Sequence, residues 1–97
     1  MEKIDFSVTV TRLDGEPFKF DDKPFTMGFA AYRGLVANTQ ETMKLDLSEL
    51  AKRYELAKKV KDGGEVEIDA DEAVLIRESL KNAWGIEVIG FILERIK

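Results

Sequence analysis

The side chains that proteins most often use for catalysis near neutral pH are missing from this sequence. It contains no histidine and no cysteine, which excludes imidazole bases, thiol nucleophiles and thiolate metal sites. Its serines, Ser7, Ser48 and Ser79, do not lie in a G-x-S-x-G turn, and the sequence has no phosphate-binding P-loop. We therefore expect a protein that is not an enzyme and that binds no cofactor.

Carboxylates are the remaining groups that could hold a ligand. Asp69, Asp71 and Glu72 are close in sequence, and hard cations bind sets of carboxylate oxygens. The spacing has a simpler explanation, because Asp69 and Glu72 stand in the D-x-x-E relation of a helix capping box. Asp46 and Glu49 stand in the same relation. We predict that both aspartates cap helices and that the chain has no metal site.

Apolar periodicity predicts four helices, at residues 27–38, 46–61, 70–83 and 86–96. Asp46 and Asp69 begin the second and the third of them. Gly63 follows the second helix and favours the left-handed conformation that often ends a helix. In the first helix, Gly28 and Gly34 are small enough to let another element approach closely.

The predicted strands are short. Apolar and polar residues alternate over residues 4–10, an Asp-Gly pair at 14–15 favours a hairpin turn, and a second strand follows at 18–20. The segment EVEI, residues 65–68, alternates in the same way. The predicted order is β-β-α-α-β-α-α. It describes a single α+β domain over residues 1–97, with four helices packed on a small antiparallel sheet made of the hairpin and the third strand.

Length, composition and charge limit the class of protein further. The chain has 97 residues, a formal net charge of −4, and 44% hydrophobic and 35% charged residues, as one small globular domain has. No apolar run approaches the ~18 residues of a membrane span, and the N-terminus has no secretory signal pattern. Without cysteine, the cytoplasm is the default compartment. The acidic balance disfavours polyphosphate partners.

The helix at 46–61 has an apolar face that we expect to be buried, formed by Leu47, Leu50, Ala51, Tyr54 and Ala57. Leu56 and Val60 point roughly to the opposite side, and their four-residue spacing lets them touch. Two alternatives remain for this pair. It belongs to a partner-binding surface, or it consists of incidental surface residues or of contacts within the domain.

The same helix is rich in basic residues, namely Lys52, Arg53, Lys58, Lys59 and Lys61. On a helical wheel these residues scatter around the axis and form no stripe. Glu49 is placed to pair with Arg53, at helical spacing. Glu55 is placed in the same way to pair with Lys59. A solvated helix surface is therefore favoured over a phosphate-binding face.

The C-terminal segment EVIGFILERIK, residues 87–97, is apolar on more of its circumference than one core-facing stripe requires. Most of its apolar residues fall in an arc of about 160°, and Phe91 extends that arc by about 60°. Either the other elements surround this helix, or Phe91 forms an interface together with Val88 or Leu93. Gly90 would then permit close approach. The second alternative predicts that the protein self-associates at high concentration through this helix.

The segment KRYELAKKVKDGGEVEIDADEAVLIRESL, residues 52–80, resembles a group of short proteins encoded by bacteriophages and prophages. The segment TRLDGEP, residues 11–17, matches the N-terminal hairpin turn of that group. The resemblance implies a phage genome as the setting, and hence a role in assembly, host takeover or regulation. It brings no catalytic residues and no established activity.

Together these observations favour a non-enzymatic protein-interaction module in the cytoplasm of a bacterial host, either an assembly chaperone or an inhibitor of a host protein. Its expected partner is another protein or a second copy of the chain. We do not expect it to bind a membrane. The candidate contact residues are Phe91, Val88, Leu93, Leu56 and Val60. The alternative is an acidic nucleic-acid-associated regulator that contacts phosphate through the lysines of the helix at 46–61.

Overall fold

The computed structural model describes residues 2–20 and 22–96, in which helices pack with short antiparallel strands. The helices are α1 (Met27–Leu35), α2 (Leu47–Val60), α3 (Ala70–Ser79) and α4 (Ile86–Leu93), with single 3-10 turns at Thr42–Lys44 and Leu80–Asn82. The strands are β1 (Glu2–Asp5), β2 (Lys19–Phe20), β3 (Lys23–Pro24) and β4 (Glu65–Ile68). The predicted α+β class is confirmed.

The longer of the strand pairs joins the N-terminus to the middle of the chain. β1 pairs with β4 in antiparallel register, with Ile4 opposite Val66. The side chains of Ile4 and Ile68 are buried, as period-two alternation predicts for one face of a strand. Past the end of β1, Phe6 N still donates to Gly64 O over 2.8 Å. The third predicted strand therefore lies beside the first.

The predicted strand at residues 4–10 is interrupted, and the hairpin predicted around residues 14–15 is present only as a short pairing of residues 10–12 with residues 16–18. β1 ends at Asp5. Further along, Val10 N donates to Phe25 O (2.8 Å), and Val10 O accepts from Phe18 N (3.0 Å). The segment therefore changes partners along its length, from β4 to the residues that flank the short β2–β3 hairpin. Period-two alternation predicts a buried face but cannot distinguish one partner from two.

The turn predicted at residues 14–15 is present. Gly15 has a φ of +91°, in the left-handed region that favours glycine. Arg12 N donates to Glu16 O over 2.7 Å, which closes the loop, and Thr11 forms an isolated antiparallel bridge with Pro17.

Helix α1 lies at the centre of the helical layer because its small residues let other elements touch its backbone. Gly28 and Gly34 are buried. A Cβ atom on Gly28 would collide with the carbonyl oxygen of Val60, the last residue of α2. A Cβ atom on Gly34 would lie 2.7 Å from Ser79 O, at the end of α3. The predicted close approach at both glycines is confirmed.

The predicted helix caps are confirmed by their hydrogen bonds. Asp46 Oδ1 accepts from Glu49 N at 2.9 Å. Asp69 Oδ1 accepts from Glu72 N at 2.7 Å, and Glu72 Oε1 accepts in return from Asp69 N at 3.1 Å, which completes a capping box at α3. The helices end earlier than predicted: α1 stops at Leu35, and α3 passes into a 3-10 turn.

The C-terminal segment packs on α1 and on Phe25, which follows β3. Trp84 Nε1 donates to Ala30 O of α1 at 2.8 Å, and the Trp84 ring meets Phe25 edge-on with centroids 4.7 Å apart. Ile92 of α4 and Ile96 just after it are fully buried. An indole N–H that finds a partner in this way lets a large side chain fill a core without an unsatisfied donor.

We expect opposite effects from the same substitution at two glycines within helices. Gly28→Ala places a methyl group against backbone atoms of Val60 and should destabilise the protein by about 1–3 kcal/mol. Gly90→Ala meets open space within the described part of the chain and should stabilise it by about 0.5–1 kcal/mol, since alanine is the better helix former. Urea unfolding of both variants measures this. An unchanged stability in Gly28→Ala would contradict the predicted contact.

The cap at Asp46 predicts a pH dependence of stability. The hydrogen bond from Glu49 N, and then that from the Ser48 hydroxyl, hold the pKa of Asp46 below its ordinary value of 3.8. A lowered pKa in the folded state means that this stabilisation is present above pH 3.8 and is lost as the pH falls through the folded pKa. Asp46→Asn keeps a capping oxygen but does not titrate. The difference in free energy of unfolding between the wild type and Asp46→Asn should therefore be constant near neutral pH. Below pH 3.8 the wild type should lose stability relative to the variant. A difference that does not change with pH would refute this prediction.

Candidate functional site

Of the apolar face predicted to be buried on α2, only Ala57 is fully buried. Leu47 and Tyr54 are 83% and 60% exposed, whereas Leu56 and Val60 belong to the core. Of the alternatives for Leu56 and Val60, the structure therefore supports contacts within the domain and not a partner-binding surface. The buried stripe includes Arg53, whose side chain is 15% exposed. Because arginine is charged, it interrupts the apolar pattern of the buried face in the sequence. Its aliphatic stem nevertheless packs there like an apolar residue.

Helices α2 and α3 both pack on α1, and an open groove of about 1070 Å³ lies between them. The two helices run antiparallel, since the last turn of α2 and the first turn of α3 lie at the same end. At that end Lys59 Nζ reaches both carboxylate oxygens of Glu72 at 3.1 Å. The other end, near Ser48 of α2 and Glu78 of α3, is open.

The groove has an apolar floor between charged walls. Its apolar residues are Ala51 and Leu56 from α2 and Val74 and Leu75 from α3. The α2 wall contributes the basic residues Lys52, Arg53, Lys58 and Lys59, together with Glu49 and Glu55. The α3 side contributes Asp69, Asp71, Glu72 and Glu78, without a basic residue among the described groove residues. Apolar and charged side chains are therefore combined in one surface.

Most charges on the α2 wall are compensated within α2. Glu49 pairs with Arg53 at 3.5 Å, as predicted, and also with Lys52 at 3.4 Å. The predicted pair of Glu55 with Lys59 is wrong. Glu55 pairs with Lys58 at 3.2 Å instead, because Lys59 reaches across the groove to α3. A helical spacing permits several pairs, and the neighbouring helix decides between them.

The α3 wall keeps uncompensated negative charge. Asp71 and Glu78 are exposed, and neither forms an ion pair within 4 Å across residues 2–20 and 22–96. By contrast, Asp69 and Glu72 are engaged in the capping box. The wall therefore presents two free carboxylates on either side of Val74 and Leu75.

Arg53 lies at the base of the α2 wall. Its Nη1 donates to Glu49 O at 3.3 Å, whereas its buried Nε has no hydrogen-bond partner in the part of the chain that the structure describes. The guanidinium is thus held by Glu49 along one edge only.

The residues predicted to bind a partner do not form one exposed surface. Val88 is buried, like Leu56 and Val60. Phe91 is half-buried, and the Arg95 guanidinium covers its ring at 3.6 Å from the centroid. Leu93 remains exposed. The excess apolar circumference of α4 is explained mainly by burial on one side and by this cation–π contact on the other.

Two further apolar surfaces contain exposed residues that were not predicted as site residues, namely Ile86, Met43 and Tyr54. On α4, Ile86 is 89% exposed and lies about two helical turns before Leu93. On the other side of α2, Met43 and Tyr54 border a dent of about 180 Å³. The dent is much smaller than the α2–α3 groove.

The groove could have been recognised in part from the sequence. Asp71 and Glu78 are seven residues apart, and Val74 and Leu75 lie between them. A seven-residue spacing returns to nearly the same side of a helix. That signal marks α3 as a helix with an apolar strip between two acids, but nothing in the sequence predicts that α2 stands opposite.

No protein-family model, no curated protein and no solved structure matches this chain. Among the described residues, no group of three or more carboxylates is arranged to hold a metal ion. Over the same residues, none of the helices combines the length and the apolar character needed to cross a membrane. The resemblance to phage and prophage proteins stays a prediction.

The burial of Leu56 and the exposure of Leu47 on α2 can be tested directly. Leu56→Glu places a carboxylate in the apolar interior and should destabilise the protein by about 3 kcal/mol or more. Leu47→Glu, on the exposed side of the same helix, should leave stability unchanged or raise it slightly, because an acid in the first turn interacts favourably with the helix dipole. Thermal unfolding followed by circular dichroism measures both. A stable Leu56→Glu variant would contradict the structure of α2.

Proposed function

We propose that this protein is a non-enzymatic protein-interaction module that accommodates one helix of a partner protein in the α2–α3 groove. The observation that carries the proposal is the groove itself, an apolar floor between two charged helical walls. Amphipathic helices bind to other proteins in such grooves, with their apolar residues on the floor and their polar residues along the walls.

The dimensions of the groove suit a helix better than a small molecule. α2 has 14 residues and is therefore about 21 Å long, which corresponds to roughly four turns of a partner helix lying alongside it. Small-molecule sites usually enclose most of the ligand surface. This groove is open, because the walls are formed by exposed side chains such as Lys52 and Lys58. A segment of chain that keeps one side in water fits that shape.

The distribution of charge supports a protein partner over nucleic acid. Lys52 and Lys58 on α2 are already paired with glutamates of the same helix. Phosphate binding gains most of its affinity from basic residues that are free to replace counterions, and the acids of α3 would repel a phosphate backbone across the groove. The nucleic-acid alternative stays an untested prediction.

Within the setting that the resemblance implies, this activity is that of an assembly chaperone or of an inhibitor of a host protein in the bacterial cytoplasm. Both roles require the recognition of a segment of another protein. Self-association through α4 stays a separate prediction, and the apolar residues available for it on the outer side of α4 are Ile86 and Leu93.

The proposal predicts that a bulky residue in the groove weakens the binding of helical peptides. Helical peptides selected from a displayed library against the wild-type protein serve as probes, and calorimetry gives their affinities. Ala51→Arg fills the groove from an exposed position of α2 and should weaken groove-binding peptides at least about tenfold, since it removes the space for an apolar anchor. Leu47→Arg, on the same helix but outside the groove, should have no effect.

The selected peptides should also perturb the backbone NMR signals of Val74 and Leu75. If selection against the folded protein yields no helical binder, or if the binders respond to Leu47→Arg and not to Ala51→Arg, the groove is not the binding site and the proposal fails.

A further inference from the structure

We infer that the partner helix carries basic residues seven positions apart along one edge, which pair with Asp71 and Glu78 of α3. The inference rests on the proposed function, because it concerns the occupant of the same groove. It specifies the chemical class of the partner: a basic-edged amphipathic helix, as opposed to an acidic or a neutral one.

The geometry of α3 sets the spacing. Seven residues along a helix correspond to about 10.5 Å and return to within about 20° of the same direction. Asp71 and Glu78 therefore project on the same side of α3, both exposed to solvent. Val74, between them, is 41% exposed and lines the groove together with Leu75. A partner helix that lies along α3 therefore contacts Asp71, then Val74, and then Glu78.

The basic side chains of the opposite wall are all engaged in ion pairs. Lys52 and Lys58 are satisfied by Glu49 and Glu55, one turn away on α2, and Lys59 is satisfied by Glu72. Lys52 shares Glu49 with Arg53, so one basic charge on α2 stays in excess. The acids of α3 outnumber it, and the net charge along the groove is therefore negative. An occupant with cations on the edge that faces α3 gains attraction there, and one with carboxylates on that edge meets two like charges.

The helix dipoles of the walls do not add a second preference. Because α2 and α3 run antiparallel, their macrodipoles largely cancel along the groove. The helix dipoles therefore do not favour either orientation of the partner helix in the groove. The charges on the side of the partner helix that faces α3 decide which helix binds. This distinguishes the site from an anion site at a helix N-terminus, where the backbone supplies the attraction.

The test uses two synthetic peptides that differ in one edge. Both carry leucines at helical spacing for the groove floor. One has lysines seven residues apart on the flanking edge, and the other has glutamates at the same positions. Calorimetry measures the affinity of each for the full chain at low and at physiological ionic strength. We expect the lysine peptide to bind about tenfold more tightly at low salt, and the difference to shrink as salt screens exposed charges.

Matched variants locate the effect. Asp71→Asn with Glu78→Gln removes the two free carboxylates of the groove and should abolish the preference for lysine. Asp62→Asn with Glu67→Gln removes the same number of charges at exposed positions outside the groove and should leave the preference unchanged. Equal loss of preference in both double variants would show that overall charge alone causes it, and would overturn the inference.

The outcomes separate the inference from the proposed function. If both peptides bind with equal affinity, or the glutamate peptide binds more tightly, and Ala51→Arg weakens both, the groove binds helices but the inference is wrong. If neither these peptides nor the library-selected helices bind in the groove, the proposed function is wrong and the inference falls with it. A lysine preference that depends on Asp71 and Glu78 supports both.

Discussion

The absence of a side chain at Gly28 is the constraint on which the rest of the fold depends. At this position α1, the end of α2 and the end of β1 meet. A Cβ atom there would collide with Val60 O and would lie only 3.2 Å from Phe6 O and 3.3 Å from Gly63 N. Gly28 N also donates to Phe6 O at 2.9 Å. One glycine thus lets the sheet, the central helix and the cap of α2 pack directly on each other's backbones.

The groove is a consequence of that arrangement. α2 is held to α1 at Gly28, and α3 is held to α1 at Gly34, one at each end of the central helix. The groove lies between these two helices, and the ion pair of Lys59 with Glu72 joins them at one end. The core is closed beneath this space by Leu56. The open groove therefore lies above a closely packed core.

The acidic wall of the groove follows from the way α3 begins. Its first turn needs acceptors for its free N–H groups, and Asp69 with Glu72 provides them. Asp71, next to them, adds a favourable charge at the same helix end but makes no ion pair within the described residues. One acid-rich helix start thus serves folding through Asp69 and Glu72 and leaves Asp71 exposed on the wall of the groove.

The sequence by itself determines the local features of this protein: the α+β class, the caps at Asp46 and Asp69, and the close approach at the two glycines of α1. These depend on contacts between residues a few positions apart or on the size of one side chain, so a single sequence contains them. The choice among chemically similar faces is different. Leu47 with Tyr54 and Leu56 with Val60 are equally good apolar stripes of α2, and only packing on α1 decides that the second is buried. The tertiary structure alone also pairs β1 with β4 and stands α2 opposite α3, because these contacts join residues distant in the chain whose patterns are compatible with several partners.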